Sequence, residues 1–155
     1  VMVIGAGEMS RKTARALQSR GATSVMVTNR SFDKAADLAE EIGGRAVPFS
    51  GWEEELSHLD VVIAATGAPH FVVKPQHVEA VRRKRKFRPL IMVDIAVPRD
   101  IDPEVGGIEE VYLYDIDTLQ EMADEARKRR EEQLRLCEEI IREEIDKASL
   151  PAVND

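Results

Sequence analysis

Val1-Met2-Val3-Ile4 runs straight into Gly5-Ala6-Gly7-Glu8-Met9-Ser10, and no other junction restricts the fold of this chain so strongly. An unbroken apolar run reads as a strand buried on both faces of a parallel sheet. The glycines supply a tight turn and a place where backbone can approach a ligand. Glu8 then opens a helix whose free N–H groups favour an anion. Ser10 stands where such loops carry a third glycine, a position that governs helix–strand packing, and a small residue is tolerable there. A bare G-x-G is weak by itself, but here the flanking strand and helix are the required context. The alternatives are a dinucleotide-binding loop and a purely structural turn.

The rest of the chain repeats the alternation. Glu8 to Arg20 carries helical spacing with Gly21 as its stop, and Ser24–Thr28 is a β-rich run. Asp33 is the expected N-cap of a helix that ends at Gly43-Gly44. Ala46–Pro48 reads as a short strand, Trp52–Leu59 as a short helix, and Asp60–Ala64 as a fourth strand. Pro75 to Lys84 is a helix with proline in its first turn. Leu90–Val93 and Val111–Tyr114 are strands separated by a loop with Pro98, Pro103, Gly106 and Gly107. The expected class is therefore α/β: a Rossmann-like, doubly wound parallel sheet with helices on both faces.

From Asp117 to about Ala148 there is no glycine or proline, and Leu119, Met122, Ala126, Leu134, Cys137, Ile140, Ile141 and Ile145 form an apolar stripe. Asp124–Lys128 and Glu125–Arg129 are placed to add i,i+4 support. The expected organisation is a nucleotide-binding domain over residues 1–116 and a long C-terminal helix with a tail over 117–155, frayed from Ser149 onward. A helix of about 30 residues spans roughly 45 Å, too long for a small domain to cover its stripe.

Composition narrows the setting. Hydrophobic residues make up 43% of the 155 residues, enough for a core, and the net charge of −7 argues against a domain that grips nucleic acid by bulk electrostatics. With Cys137 the single cysteine, no internal disulfide or cysteine-rich metal site is expected, and a reducing cytoplasm is the natural compartment. His58, His70 and His77 have no metal spacing with it. No apolar stretch is long enough for a membrane span. No basic leader precedes Val1, and a chain opening in mid-strand is expected to be a piece of something longer.

The end of the second strand bears on which dinucleotide fits. NAD sites usually place Asp or Glu there for the ribose hydroxyls. Here the residues are Thr28-Asn29-Arg30-Ser31, in which a guanidinium and a hydroxyl suit a 2′-phosphate. The bland alternative is a solvated loop arginine. Ala64-Ala65-Thr66-Gly67-Ala68-Pro69 ends the fourth strand, where ligands bind in open α/β sheets, although an ordinary turn reads the same way. Asp94, at the end of the fifth strand, is either a site residue or the cap of its loop. His70 lies near the cleft. Arg82 to Arg88 is basic and could face RNA, but a solvated helix end is the simpler reading. Cys137 sits on the helix stripe as a packing residue.

Together, the glycine loop, Asn29-Arg30-Ser31, Ala65-Thr66-Gly67-Ala68-Pro69-His70 and Asp94-Ile95-Ala96-Val97-Pro98-Arg99-Asp100-Ile101-Asp102-Pro103 resemble the glutamyl-tRNA reductases, with Val111 to Asp117 extending the likeness. Asn29-Arg30-Ser31 is also similar to shikimate dehydrogenases. The resemblance covers Val1 to about Lys147. It implies an NADPH domain followed by the start of a spinal helix, in an enzyme of tetrapyrrole (porphyrin) biosynthesis. There NADPH reduces a thioester between an active-site cysteine and the glutamyl group of glutamyl-tRNA, giving glutamate-1-semialdehyde. The catalytic domain and its cysteine are missing, so no catalytic residue is expected in this chain, and Cys137 does not inherit the role. The chain alone is expected to bind NADPH without reductase activity, and its parent to form a homodimer through the C-terminal helix, with no metal and no membrane. The resemblance carries Gly5, Ala6, Gly7, Glu8, Met9 and Ser10 to the pyrophosphate loop and Asn29, Arg30 and Ser31 to the 2′-phosphate. It places Thr66, Gly67 and Ala96 near the nicotinamide side. A shikimate dehydrogenase-like oxidoreductase domain and a non-enzymatic nucleotide-sensing or assembly module remain alternatives.

Overall fold

The computed structural model describes residues 1–149; of the tail expected to fray from Ser149, Ser149 itself is helical and the rest lies outside the described residues. Six strands form one sheet: β1 (Met2–Ile4), β2 (Met26–Asn29), β3 (Arg45–Pro48), β4 (Val61–Ala64), β5 (Leu90–Asp94) and β6 (Val111–Asp115). Their order is β3-β2-β1-β4-β5-β6, and every pairing is parallel. This is the Rossmann order, in which the direction of winding reverses between β1 and β4 and opens a crevice at the strands' carboxyl ends.

Alternation within each strand sends side chains to opposite faces. Val3 and Val27 pack under α1 (Glu8–Ser19) and α2 (Phe32–Ile42), against Ala14, Ala35, Leu38 and Ile42. Met2, Ile4, Val62 and Met92 face α3 (Trp52–Glu55), α4 (Pro75–Val81) and a 3-10 turn at Pro103–Gly107, through Trp52, Val78, Val81 and Val105. Each such aliphatic side chain contributes roughly 1.5–3 kcal/mol when fully buried. Arg11 and Arg15 of α1 both pair with Glu41 of α2, holding that carboxyl below its usual range, Arg15 foremost.

Several local expectations shift. Ser31, not Asp33, occupies the N-cap of α2, and Asp33 falls in the first turn, where its charge still suits the helix dipole. Gly43 closes α2 in the left-handed conformation, as its position after the last apolar residue implied. The segment from Trp52 is helical only to Glu55, after which Leu56 and Leu59 turn inward as buried residues.

The largest departure is the basic stretch. Helix α4 stops at Val81, and Arg85 is buried rather than solvated. Its guanidinium donates to the carbonyls of Leu56, Leu59 (2.5 Å), Arg88 (3.2 Å) and Pro89 (2.9 Å). Lys86 and Phe87 have positive φ (53° and 56°) in the turn that makes this possible. Burial lowers the Arg85 pKa, and the charge of Arg88 adds to that. The five donors of a guanidinium satisfy four backbone acceptors that two irregular segments would otherwise leave bare.

The chain divides into two compact units, Val1–Ile116 and the segment from Asp117. The second is α5, a helix that begins with Ile116 and runs to Ser149. Glu125 pairs with Arg129 at 3.5 Å as expected, whereas Asp124 pairs with Arg127 (3.3 Å) and accepts from Gln120 instead of meeting Lys128. No residue of α5 is buried: Leu134, Ile140, Ile141 and Ile145 are 58–59% exposed, and so Cys137, expected to pack, is exposed too. No helix among the described residues is long and apolar enough to cross a membrane.

Arg85→Met should lower stability by about 3 kcal/mol, because it strands several buried carbonyls at once. Lys84→Ala, one residue away and exposed, should stay within about 0.5 kcal/mol. Thermal unfolding of the two variants beside the parent chain checks this, and equal effects would show that the Arg85 bonds carry no stability.

Candidate functional site

The crevice between β1 and β4 is built from backbone. The Gly5 amide donates to the Thr28 carbonyl (2.8 Å), and the Ala65 amide donates to the Ile4 carbonyl (2.9 Å). Gly5 has φ +115°, and a Cβ there would sit 2.5 Å from the Ala65 carbonyl oxygen and 2.9 Å from Ser10 Oγ. Glycine at this position is therefore a requirement of the fold itself. Ser10 is fully buried and donates its hydroxyl to the Ala65 carbonyl (3.2 Å), so its side chain packs α1 against the Gly5–Ala65 contact and is not open to a ligand.

Gly7 differs in kind. It is the N-cap of α1 with φ −79°, and a Cβ there would meet nothing of the protein within 4 Å. No side chain caps the helix start. The bare N-terminus of a 12-residue helix thus faces open space, where its free N–H groups and dipole favour an anion. Among the neighbouring loop residues, Ala6 is buried, whereas Glu8 and Met9 are exposed beside that opening.

A cavity of about 220 Å³ lies at the ends of β2 and β4, lined by Asn29, Arg30, Phe49, Thr66, Gly67, Ala68, Pro69 and Val72. Phe49, Ala68, Pro69 and Val72 give it apolar walls, and no carboxylate lines it. Asn29 Nδ2 donates to the Ser31 carbonyl (3.1 Å), and Arg30 Nη2 lies 3.0 Å from His70 Nε2. Ser31 is exposed and makes no capping bond with its hydroxyl.

Thr66 and Gly67 line the same cavity as Asn29 and Arg30, whereas Ala96 is buried at the end of β5 and outside that lining. The Thr66 side chain is committed: its hydroxyl donates to Asp100 Oδ1 and accepts from the Ala68 amide (3.1 Å), while its own amide donates to Asp100 Oδ2 (2.6 Å). The carbonyl of Asp100 accepts from the amides of Val72 (2.6 Å) and Val73 (3.0 Å). One fully buried residue therefore clamps both ends of the loop between β4 and α4.

Asp94 is the cap of its own loop. Its two oxygens accept from the amides of Ala96 (3.1 Å) and Ile101 (2.8 Å). Burial raises its pKa, the nearby Asp100 charge acts the same way, and the two backbone bonds oppose them. His77 is occupied elsewhere, edge-on to Trp52 and 3.5 Å from Glu53. No group of three His, Cys, Asp or Glu placed to hold a metal ion occurs among the described residues. Phe49 carried no signal in the sequence, and Asp100 stood there only inside the Asp94–Pro103 segment that carries the resemblance, with no role of its own.

Residues 1–122 match the family model described as shikimate / quinate 5-dehydrogenase. The glutamyl-tRNA reductase of Akkermansia muciniphila is 50% identical over 147 residues, covering 95% of this chain and 43% of that protein. The solved glutamyl-tRNA reductase from Methanopyrus kandleri superposes with a TM-score of 0.80 at 40% identity, over 94% of this chain and 37% of that one. The nucleotide-binding domain of the Thermoplasma volcanium glutamyl-tRNA reductase shares the fold, with a TM-score of 0.64 at 20% identity and 84% of each chain covered. The chain spans less than half the length of the curated relatives it matches.

Gly5→Ala should cost about 2–4 kcal/mol, from the strained φ and the overpacked Ala65 carbonyl together. Gly7→Ala should remain within about 1 kcal/mol, as a helix start losing a glycine N-cap. Chemical denaturation separates the two, and similar losses would mean that Gly7 also has a structural role.

Proposed function

This chain belongs to the shikimate / quinate 5-dehydrogenase family, and we propose that it is the NADPH-binding domain of a glutamyl-tRNA reductase. The observation that carries the choice of cofactor is the cavity at the end of β2, which presents Asn29 and Arg30 and no carboxylate. An NAD site would set an acidic side chain against the ribose hydroxyls at this place, and a guanidinium suits a 2′-phosphate instead.

The residues present fit the group. The pyrophosphate belongs over the bare N-terminus of α1, where Gly7 leaves room and Gly5, Ala6, Glu8 and Met9 complete the loop; the buried Ser10 contributes through packing and its position in the first helical turn. The apolar walls formed by Phe49, Ala68 and Val72 suit an adenine ring, with Asn29 and Arg30 on the phosphate side and the exposed Ser31 next to them in the chain. The Asp100 clamp on Thr66 keeps the backbone of Thr66 and Gly67 in place as part of that wall. Ala96 stands at the end of β5, on the side assigned to the nicotinamide.

When bound, NADPH supplies a hydride; the chain's own residues bind it, orient it and exclude water. In the parent enzyme the acceptor is the thioester formed between a cysteine of another domain and the glutamyl group of glutamyl-tRNA, and the product is the semialdehyde that enters tetrapyrrole synthesis. Cys137, exposed on α5, has no part in this. The proposed arrangement is a cytoplasmic homodimer joined through α5, with residues 1–116 as the cofactor domain and no metal. The exposed stripe of Leu134, Ile141 and Ile145 supports that role for α5.

Titration with NADPH and NADH, followed by nucleotide fluorescence or calorimetry, should show a preference for NADPH. Arg30→Ala should remove most of it, since a charge-assisted bond to phosphate is worth about 1.5–3 kcal/mol, or tenfold and more. Equal affinities in the parent chain would rule out the 2′-phosphate reading. An assay with glutamyl-tRNA and NADPH should show no semialdehyde formation by this chain alone, and turnover would overturn the assignment of the chemistry to another domain.

A further inference from the structure

We propose that His70 is a positioning residue of the 2′-phosphate site, holding the Arg30 guanidinium at the mouth of the cavity before the cofactor arrives. The inference rests on the NADPH reading and extends it to a residue from a different loop. Arg30 Nη2 and His70 Nε2 are 3.0 Å apart. A guanidinium only donates, so Nε2 is the acceptor in this contact. Both side chains are exposed, and neither residue has another side-chain partner among the described residues. Arg30 follows β2 and His70 follows β4, so the contact joins two loops 40 positions apart in sequence, on either side of the cavity.

What makes His70 suited to the task is the loop that carries it. Thr66 at its start bonds Asp100 through both amide and hydroxyl, and Val72 and Val73 at its end donate to the Asp100 carbonyl. A histidine two residues from such an anchor stands on a stiff platform. The loop of Arg30 is pinned less firmly, by the Asn29 side chain bonding the Ser31 carbonyl. An arginine left free would lose its rotamer freedom only on meeting the phosphate, and a partner that orders it beforehand removes part of that cost.

The test is a set of NADPH and NADH titrations on the parent chain, His70→Ala, His70→Gln, Arg30→Ala and the double variant. Ordering one long side chain corresponds to about a threefold to tenfold change in affinity, so His70→Ala should reduce the NADPH-to-NADH affinity ratio by that factor. His70→Gln, whose amide oxygen also accepts, should recover most of the ratio. In the Arg30→Ala background, His70→Ala should have no further effect on it. A ratio unchanged by His70→Ala, or a full effect that persists without Arg30, would overturn the proposal while leaving the cofactor reading intact. Failure of the parent chain to bind either nucleotide would defeat the cofactor reading and this inference with it.

Discussion

The structure turns on how closely two backbones approach between β1 and β4. Gly5 can lie against the Ala65 carbonyl because it has no Cβ, and Ser10 fills the remaining space while donating to the same oxygen. That contact brings the loop after β1 and the loop after β4 to opposite sides of one crevice. It also sets where α1 begins, and so where its unpaired N–H groups point. A methyl group at position 5 would push apart the two loops that define the site. The same addition at Gly7 would enter only the space left for a ligand. Two glycines two positions apart thus serve different ends, the first packing and the second access.

Around that contact, buried carboxylates do the work that regular secondary structure does elsewhere. Asp94 closes the loop it starts by accepting from Ala96 and Ile101. Asp100, on that same loop, holds Thr66 through its carboxylate and Val72 and Val73 through its backbone carbonyl. Irregular backbone carries polar groups that must be satisfied when buried, and a carboxylate offers several acceptor positions at once. Burial disfavours the charge on Asp94 and raises its pKa, and the paired N–H groups oppose that cost. Arg85 is the cationic counterpart at the other end of the strands, filling the carbonyls of two turns before β4 and β5. All three residues are charged, and all three act as internal struts.

The helix from Ile116 to Ser149 follows different physics. Its 34 residues extend about 51 Å if straight, and its stability comes from sequence-local pairs such as Glu125–Arg129 together with good helix formers. Such pairs are worth a few tenths of a kcal/mol each, whereas an uncovered leucine or isoleucine forgoes roughly 1.5–3 kcal/mol. A single helix has no second element over which to close its stripe, which is the physical basis for assigning it an assembly role.

Periodicity and punctuation alone determined the α/β class, the six strands, the long helix and the glycine loop, because these depend on neighbours within one or two turns. The absence of an acidic residue after β2 was likewise legible, since it concerns which side chain stands at a strand end. The residues that only the tertiary structure revealed are those whose partners lie far along the chain. Asp100 meets Thr66 across 34 positions and Arg85 meets Leu56 across 29, and the partner of Arg30, His70, lies 40 positions away. In sequence Arg85 looks like a solvated charge, and nothing near Arg30 in sequence points to His70. What decides otherwise is the strand order, which brings distant loops together at the two ends of the strands and, at Asp100 and Arg85, leaves buried backbone groups that a charged side chain is able to satisfy.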